Sequence, residues 1–396
     1  MKLHKALVEA IPELVKFILE QECPADIALR MQFKKHSQWG KRDRHFVATA
    51  VYDLIRYHRF YTELTKSKSN YWLHTSAWIY FRYNMELTWP NFPKINPYQL
   101  KALEEELKLQ PQIYESYPDW MWSHGMEMLG ADRWYKEASS LNREAPVYLR
   151  VNILKAPLQK VLLALQEEGI EASVTPGPSE TLRLHKRAAL FKTKAFNLGW
   201  FEVQDFASQH IVPFSGVQPG QTVIDVCAGA GGKTLHFAAV MQNTGQIFAA
   251  DPVEKKIMEL KKRAKRAGAQ NIQCILLNTE SVTLEKLKAK ADVVLMDVPC
   301  SGSGVFKRHP ESKWTLTAEA LTALKQIQNN ILHTHCSLVR SGGTLVYSTC
   351  SIFPDENELQ VQEFLKTHSE FILEAEQMLY PSGEGDGFYM ARLKRQ

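Results

Sequence analysis

The sequence predicts an α/β protein with a mostly parallel sheet, preceded by a small α+β subdomain and an all-α N-terminal domain. From about residue 205, short apolar runs alternate with amphipathic helical segments, a pattern typical of parallel strands joined by right-handed crossovers. A glycine-rich turn follows the first of these runs, and a cysteine follows each of two later ones. With 396 residues the chain is long enough for two or three domains.

Residues 1–140 are expected to form the helical domain. Apolar residues recur there at the spacing of a helix face, as in Leu7, Ile11 and Leu14. Residues 1–100 carry 15 Lys and Arg against 9 Asp and Glu, so this part of the chain is basic. Its positive charge is compatible with phosphate contacts and equally with an ordinary solvated helix surface.

The small α+β subdomain is expected at residues 146–200. The run at 147–154 predicts a strand, and the run at 157–168 predicts a helix with proline in its first turn. Two short strands are predicted at 172–175 and 181–184, around a Pro-Gly-Pro turn.

Residues 201–396 are expected to form the main α/β domain. Its strands are predicted at 222–227, 245–250, 272–277, 291–297, 343–348 and 387–393. Its helices are predicted at 233–241, 253–267, 317–340 and 355–367. Alternation of this kind places the carboxyl ends of the strands along one edge of the sheet, where open α/β sheets hold their ligands.

The glycine-rich turn has the sequence Cys227-Ala228-Gly229-Ala230-Gly231-Gly232-Lys233. Its glycines let the backbone approach a ligand at the N-terminus of the next helix. A P-loop would need glycine at 227, and a dinucleotide-binding turn would need glycine at 234, so neither motif is present. Asp251 ends the next strand and can accept both hydroxyls of a ribose, unless it only caps the following helix. The turn and this acid together suit S-adenosylmethionine, which has a ribose and no phosphates.

Composition excludes several other classes of protein. The six cysteines are scattered without CxxC spacing, which predicts free thiols in a reducing compartment, most simply the cytoplasm, and no zinc or other metal site. The chain has no run of 18 apolar residues and no apolar signal-peptide core at its N-terminus. We therefore expect a cytoplasmic protein without a membrane partner.

Two cysteines stand out by their sequence contexts. Cys300 lies in Pro-Cys-Ser-Gly and Cys350 in Ser-Thr-Cys-Ser, and each follows an apolar run read as a buried parallel strand. A cysteine in such a place is most often a small buried hydrophobe, which is our interpretation of Cys274 and Cys336. The polar contexts of the first two, with Asp297 close in sequence, instead indicate a thiol-driven reaction at the edge of the sheet.

Seven ordered blocks of sequence carry a resemblance to a known family. They are Arg150–Lys155, Val203–Gln209, the glycine-rich turn, Pro299–Gly304, Arg308–Pro310 with Lys313-Trp314, Ser348–Ser351 with Asn357-Glu358, and Asp386–Phe388. In these blocks the chain resembles the RNA cytosine carbon-5 methyltransferases of the Nol/Nop/Sun type, most of all the bacterial branch that modifies small-subunit ribosomal RNA. The resemblance implies a class I (Rossmann-like) methyltransferase domain, an RRM-like subdomain and, more loosely, a NusB-like RNA-binding N-terminal domain.

The resemblance also implies roles for single residues. Cys350 would be the nucleophile that adds to carbon 6 of cytosine, Cys300 would assist release of the adduct, and Asp297 would hold the base, donating to ring nitrogen 3 if it is protonated. Lys233 is the nearest candidate for the positive charge that a thiolate needs. The residues implied in cofactor binding are Cys227, Ala228, Gly229, Ala230, Gly231, Gly232, Lys233, Asp251, Asn278 and Asp297. The chain departs from the family at two places: Gly229-Ala230 replaces Ala-Pro, and Asn278 replaces an aspartate.

The expected function is S-adenosylmethionine-dependent methylation of carbon 5 of a cytosine in RNA, most simply 16S rRNA, by a monomeric enzyme. A tRNA or 23S rRNA is the alternative substrate. An RNA-binding ribosome-assembly factor with a vestigial catalytic core is the non-enzymatic alternative, against which the intact cysteines argue. A small-molecule methyltransferase would leave the two strand-end thiols unexplained, and a DNA cytosine methyltransferase would carry its nucleophile in a Pro-Cys context alone.

Overall fold

The computed structural model describes residues 3–178, 180–277 and 282–396. The chain forms two compact units. The first unit contains Met1–Arg143 and Phe306–Ala318, and the second contains Glu144–Val305 and Glu319–Gln396. In the described part of the chain, no helix has the length and apolar character to cross a membrane.

Helices with one apolar face build the first unit. In chain order they are α1 (Lys5–Glu20), α2 (Ala25–Lys35), α3 (Lys41–Arg56), α4 (His58–Thr65), α5 (Tyr71–Tyr83), α6 (Pro97–Lys108), α7 (Pro111–Tyr114), α8 (Asp119–Leu129) and α9 (Ala131–Leu141). The apolar face of α1, with Ile11 and Ile18, packs into one core with Val47 and Val51 of α3 and Ile79 of α5. The helical spacing seen in the sequence therefore corresponds to the buried face of these helices.

The second unit begins with a small four-stranded sheet. Its elements are β1 (Tyr148–Val151), α10 (Leu158–Glu167), β2 (Ala172–Thr175), β3 (Thr181–Leu184), α11 (Lys194–Asn197) and β4 (Phe201–Val203). The strand order is β2-β3-β1-β4, and every pairing is antiparallel. The subdomain was predicted to end at residue 200. Its fourth strand, β4, lies just beyond that boundary.

A seven-stranded sheet with helices follows. Its elements are α12 (Ile211–Ser215), β5 (Thr222–Asp225), α13 (Gly232–Val240), β6 (Gln246–Asp251), α14 (Glu254–Ala267), β7 (Ile272–Leu276), α15 (Val282–Glu285), β8 (Ala291–Asp297), α16 (Ser312–Thr315), α17 (Ala318–His335), β9 (Val339–Thr349), α18 (Glu358–Thr367), β10 (Phe371–Leu379) and β11 (Phe388–Arg395). The central strands are apolar throughout because both faces of the sheet are covered, and Val293 to Met296 of β8 are at most 2% exposed.

The strand order β10-β11-β9-β8-β5-β6-β7 determines where a ligand can bind. The five strands from β9 to β7 in this order are parallel, and β10 and β11 pair antiparallel at one edge. From β5 the chain moves outward to β7 and then returns to β8 on the other side of β5. The order reverses at that point, and open α/β sheets bind ligands in the crevice at the carboxyl ends of such strands. The predicted fold class is thereby confirmed.

Three elements of this sheet differ from the sequence expectation. The helix predicted at 317–340 ends at His335, because Cys336–Leu338 form a 3-10 turn and β9 begins at Val339. The helix predicted from 355 begins at Glu358, after another 3-10 turn. The edge strand β10 was not predicted.

The segment Phe306–Ala318 belongs to the helical unit, although it follows the Pro-Cys block in sequence. Trp314 donates its indole N–H to the carbonyl of Ile55 at 2.8 Å and packs against the helical core. Arg56 Nη2 donates to the carbonyl of Lys307 at 3.3 Å. A segment from late in the chain thus completes the helical unit, an interruption that the three consecutive domains predicted from the sequence do not include.

Candidate active site

The two predicted thiols lie side by side at the edge of the main sheet. Cys300 follows β8 and Cys350 follows β9, which are parallel neighbours with Asp297 paired to Ser348. Their Sγ atoms are 3.2 Å apart, and both residues are free thiols and half-buried. Because parallel strands end at the same edge, two cysteines fifty residues apart in sequence meet.

The environment of the pair distinguishes the two thiols. The hydrogen bond with Cys350, together with burial and the charge of Cys350, raises the pKa of Cys300 well above its usual value. Cys300 therefore keeps its proton, and its S–H can serve as a hydrogen-bond donor to the neighbouring sulfur.

A lysine–aspartate ion pair lies beside the thiols. Lys233 Nζ donates to Asp297 Oδ2 at 2.5 Å, and Ser348 Oγ donates to Asp297 Oδ1 at 3.1 Å. Burial lowers the pKa of Lys233, but the Asp297 carboxylate and the Cys350 sulfur outweigh it, so that the net pKa is raised. The lysine is consequently a positive charge that interacts with Cys350.

A buried carboxylate holds the loop that carries Cys300. Glu356 is fully buried and accepts hydrogen bonds from Ser301 N at 2.8 Å, Ser301 Oγ at 2.5 Å and Gln328 Nε2 at 2.9 Å. Gln328 also donates to the carbonyl of Pro299 at 3.0 Å. Both sides of Cys300 are thus tied to the same carboxylate and glutamine.

A second set of hydrogen bonds fixes the loop after Cys350. Asn357 Nδ2 donates to the carbonyl of Ser351 at 3.0 Å, and Gly304 N donates to the carbonyl of Cys350 at 2.9 Å. A Cβ on Gly304 would lie 2.7 Å from that carbonyl oxygen and 2.5 Å from that of Gly387. Glycine at the end of the Pro-Cys-Ser-Gly-Ser-Gly block is required for this close approach.

The glycine-rich turn adopts the backbone that its composition predicts. Gly229 and Gly231 have positive φ angles of 54° and 87°. A Cβ on Gly231 would also come within 2.7 Å of the Leu260 side chain of α14. Gly232 opens α13, so the turn presents the amides of a helix N-terminus to the crevice.

A cavity of about 490 Å³ lies between the turn and the carboxyl ends of β6 and β8. Its volume is that of a small-molecule site. Of the predicted cofactor residues, Cys227, Gly229, Asp251 and Asp297 line this cavity. The remaining lining residues are Val226, Pro252, Lys256, Leu277, Val298, Pro299, Ile327, Ile331 and His335. The lining combines apolar side chains with the carboxylates of Asp251 and Asp297, a combination that suits a nucleoside with its ribose.

Asp251 has structural contacts in addition to its place in the cavity. Its Oδ2 accepts from Gly229 N at 2.9 Å, and its Oδ1 accepts from Val253 N at 2.8 Å. Val253 is itself the N-cap of α14, and no side chain caps that helix, so Asp251 holds the preceding loop and is not the helix cap. A carboxylate has further lone pairs, so these contacts leave room for a bond to a ligand. Lys256 Nζ, at 3.9 Å, adds a positive charge beside it.

The other predicted cofactor residues occupy different positions. The side chain of Ala228 packs into a small apolar cluster with Leu235 and Leu260, so only its backbone faces the turn. The carbonyls of Ala230 and Gly232 accept hydrogen bonds from arginine side chains. Asn278 lies outside the described residues.

Sequence reasoning missed several residues of this site. Glu356 and Gln328 carried no signal, because their role depends on contacts across 55 and 29 residues of sequence. Ile327 and Ile331 did have a sequence signal, because their spacing of four residues places them on one face of α17. Both line the cavity.

Comparisons with known proteins agree over most of the chain. A family model described as 16S rRNA methyltransferase RsmB/F matches residues 216–394, and one for the ferredoxin-like domain of RsmF/B-like methyltransferases matches residues 117–190. The chain is 32% identical over 310 residues to the probable ribosomal RNA small subunit methyltransferase B of Synechocystis sp., covering 74% of this chain and 69% of that protein.

Two solved structures share the fold. The crystal structure of PH0851 superposes with a TM-score of 0.81 at 26% identity and covers 100% of both chains. The structure of NSun6 from Pyrococcus horikoshii with SFG has a TM-score of 0.65 at 21% identity, covering 71% of this chain and 99% of that one.

Proposed function

The chain belongs to the 16S rRNA methyltransferase RsmB/F family, and on that premise we propose that it methylates carbon 5 of a cytosine in small-subunit ribosomal RNA through a covalent adduct with Cys350. The observation that carries the proposal is the pair of thiols 3.2 Å apart beside the ion pair of Lys233 and Asp297. A methyltransferase that does not use covalent catalysis would have no need of two such thiols.

The cofactor is S-adenosylmethionine, which supplies, when bound, a methyl group on a positively charged sulfur. The cavity residues fit it: Asp251 can accept from ribose hydroxyls, and Ile327 and Ile331 offer an apolar wall to the adenine. The NSun6 structure of the same fold contains SFG, an S-adenosylmethionine analogue.

Cys350 is the proposed nucleophile. Carbon 5 of cytosine is a poor nucleophile by itself, and addition of a thiolate at carbon 6 converts the ring into an enamine that can accept a methyl group at carbon 5. Lys233 is the positive charge available beside the attacking sulfur, and the Sγ atoms of Cys300 and Cys350 are within hydrogen-bond distance of each other.

Cys300 is the proposed base for release. The hydrogen bond to Cys350 and the charge of Cys350 are two of the causes that raise the pKa of Cys300. Both disappear once the Cys350 sulfur is bonded to carbon, so the acidity of Cys300 increases at that stage. Once the Cys300 thiol has lost its own proton to solvent, its thiolate can remove the proton from carbon 5 while the bond between Cys350 and carbon 6 breaks and the ring double bond returns.

Asp297 and Lys233 are proposed to hold the base. Both oxygens of Asp297 already accept hydrogen bonds, the pattern of an ionised carboxylate. An ionised Asp297 accepts from the cytosine amino group and does not donate to ring nitrogen 3. We therefore prefer this arrangement to the protonated aspartate that the sequence suggested.

The two thiols give the sharpest test. With a small-subunit rRNA transcript and S-adenosylmethionine, Cys300→Ala should accumulate a covalent protein–RNA adduct that runs slowly on a denaturing gel, because methyl transfer proceeds and release does not. Cys350→Ala should form neither an adduct nor 5-methylcytosine, the latter read by bisulfite sequencing.

Cys274→Ala serves as the matched control, since this cysteine lies on β7, away from the pair. It should methylate like the wild type. An adduct in Cys350→Ala and none in Cys300→Ala would reverse the assignment. Two unstable proteins and no adduct would instead make both cysteines packing residues.

Small-subunit rRNA is proposed over tRNA and 23S rRNA because the matched family and relatives are described by that substrate. Transcripts of the three RNAs, offered to the wild-type protein and read by bisulfite sequencing, distinguish them. Absence of methylation in all three would favour the vestigial assembly factor. We further propose that the protein acts as a monomer in the cytoplasm, where bacterial rRNA is made.

A further inference from the structure

A side chain of the small sheet reaches the glycine-rich turn. Arg150 lies on β1 and is only 3% exposed. Its Nη1 donates to the carbonyl of Gly232 at 2.7 Å and to Gln204 Oε1 at 2.5 Å. Gly232 is the last glycine of the turn and the first residue of α13. The subdomain therefore supplies a hydrogen bond to the backbone of the turn.

A second arginine binds the same turn from the other side. Arg263 of α14 donates from Nη1 to the carbonyl of Ala230 at 2.7 Å and from Nη2 to Glu202 Oε2 at 2.9 Å. Glu202 is 4% exposed and lies directly opposite Arg150 in the β1–β4 pair. It also accepts from Arg266, so one buried carboxylate offsets part of the positive charge of two guanidinium groups beside the turn.

These contacts determine where the amides of the turn point. In a trans peptide the C=O and the following N–H point in opposite directions. A carbonyl of Gly232 held by Arg150 therefore turns the amide of Lys233 the other way, in the first turn of α13, where amides have no helical partner. Gly229 and Gly231 do not resist rotation of these peptides, because glycine has no preferred sign of φ. Within the turn, Gly231 N donates to the carbonyl of Ala228 at 2.9 Å, and the two arginines add contacts from outside the turn.

We propose that Arg150 and Arg263, balanced by Glu202, are positioning residues that hold the glycine-rich turn in its cofactor-binding conformation, so that the ferredoxin-like subdomain is part of the cofactor site. The proposal rests on the proposed function only in naming the ligand of the turn as S-adenosylmethionine. Burial lowers the pKa of Arg150 to about 9, which still leaves it charged near neutral pH.

The test compares Arg150→Met, Arg150→Lys and Arg263→Met with the matched control Arg187→Met. Arg187 is an exposed arginine of the same subdomain, paired with Glu144. We call the contacts of Arg150 and Arg263 with the turn the arginine clamp. Calorimetry with S-adenosylmethionine should show roughly ten-fold or greater weakening of binding for Arg150→Met and for Arg263→Met, the loss expected for one charge-assisted hydrogen bond. Arg150→Lys keeps a donor for the carbonyl of Gly232 and should recover most of the affinity, and Arg187→Met should bind like the wild type.

Hydrogen exchange in the ligand-free proteins separates positioning from general stability. The amides from 228 to 234 should exchange faster in Arg150→Met and Arg263→Met, while those of β6 keep their protection. At saturating cofactor, kcat should change less than the KM for the cofactor, because the thiols are untouched.

A folded Arg150→Met with wild-type affinity and unchanged exchange in the turn would overturn the clamp. If Arg150→Met does not fold, the test rests on Arg263→Met. Wild-type affinity for S-adenosylmethionine in that variant would refute the proposal. A wild-type protein that fails to bind S-adenosylmethionine would refute the proposed function instead, and the exchange comparison would still test the clamp.

Discussion

Lys313 places an ionisable amine in the core of the helical unit. It is fully buried, and its three N–H groups donate to the carbonyls of Arg56 and Ser116 and to Asn142 Oδ1, at 2.8, 2.9 and 3.0 Å. Burial, and then the charge of Arg56, lower its pKa well below the usual value. Such a group is tolerated only when all of its donors are bonded, as they are here.

Removing this amine should destabilise the helical unit. Lys313→Met leaves three buried acceptors without a donor, and we expect a loss of about 3 kcal/mol or more in the free energy of unfolding. Urea unfolding followed by tryptophan fluorescence measures it, because most tryptophans lie in this unit. The exposed Lys94→Met is the control, and equal midpoints for the two variants would contradict the structural role.

His58 should make the stability of the same unit depend on pH. Burial, then His74 and Lys313, lower the pKa of His58 from 6.5 to about 4. Between these values the unfolded chain binds a proton that the folded chain does not, so stability falls as pH decreases from 6.5 towards 4 and is unaffected above 6.5.

We expect the wild type to lose about 2 kcal/mol more than His58→Gln between pH 7.5 and pH 5. The free energy of unfolding at the two pH values measures the difference. His45→Gln, which removes an exposed histidine of α3, should show the wild-type dependence. Identical dependence in all three proteins would mean that His58 titrates normally.

At the scale of elements, the 3-10 turn before α18 holds the neighbouring loop in place. It contains Glu356, which ties down the loop that carries Cys300. In Glu356→Ala, Ser301 and Gln328 lose their acceptor, and the loop loses its position. We expect methyl transfer to fall by about 10- to 100-fold, since small misplacements of reacting groups have effects of that size.

Cofactor affinity should fall much less than the methylation rate in Glu356→Ala, because Asp251 and the glycine-rich turn keep their own hydrogen bonds. Single-turnover methylation and calorimetry provide the two measurements. Glu363→Ala, on the exposed side of α18 with Lys366 as partner, is the control. A Glu356→Ala variant with weak cofactor binding and normal single-turnover rate would disprove this role.

The start of α3 separates two arginines that looked alike in the sequence. Arg44 donates to the carbonyl of Trp39 at 2.8 Å and to that of Ser37 at 3.2 Å, so it holds the connection between α2 and α3. Lys41 and Arg42 are exposed. A test for phosphate contacts should therefore change Lys41 and Arg42.

Lys41→Glu with Arg42→Glu should weaken RNA binding and flatten its dependence on salt by about 0.7 in the logarithmic slope per lost contact. Filter binding at several salt concentrations measures the slope. Arg44→Gln should leave the slope unchanged and lower stability. An unaltered slope in the double variant would make this surface irrelevant to RNA.

At the scale of the whole molecule, the sequence predicted what depends on local pattern. Apolar runs that end in Cys300 and Cys350 indicated two strand ends, and alternation placed them on one sheet edge, where their sulfurs do meet. The edge strand β10 was not predicted, because polar residues such as Glu374 and Glu376 interrupt the apolar run by which a strand is recognised. Prediction fails wherever a residue acts through partners far away in sequence, as Lys313 does through Arg56, 257 positions earlier.

The return of Phe306–Ala318 to the helical unit has a consequence for how the protein is made. The N-terminus of a chain leaves the ribosome first, and domains that are synthesised first generally fold first. Here the helical unit lacks the amine and the indole that fill its interior until the small sheet and most of the large sheet have been synthesised. At about 5–20 residues per second, its first 143 residues wait on the order of ten seconds for the missing segment. We expect the part of its apolar core that Trp314 covers to stay exposed during that time, and exposed apolar surface is what chaperones bind on nascent chains.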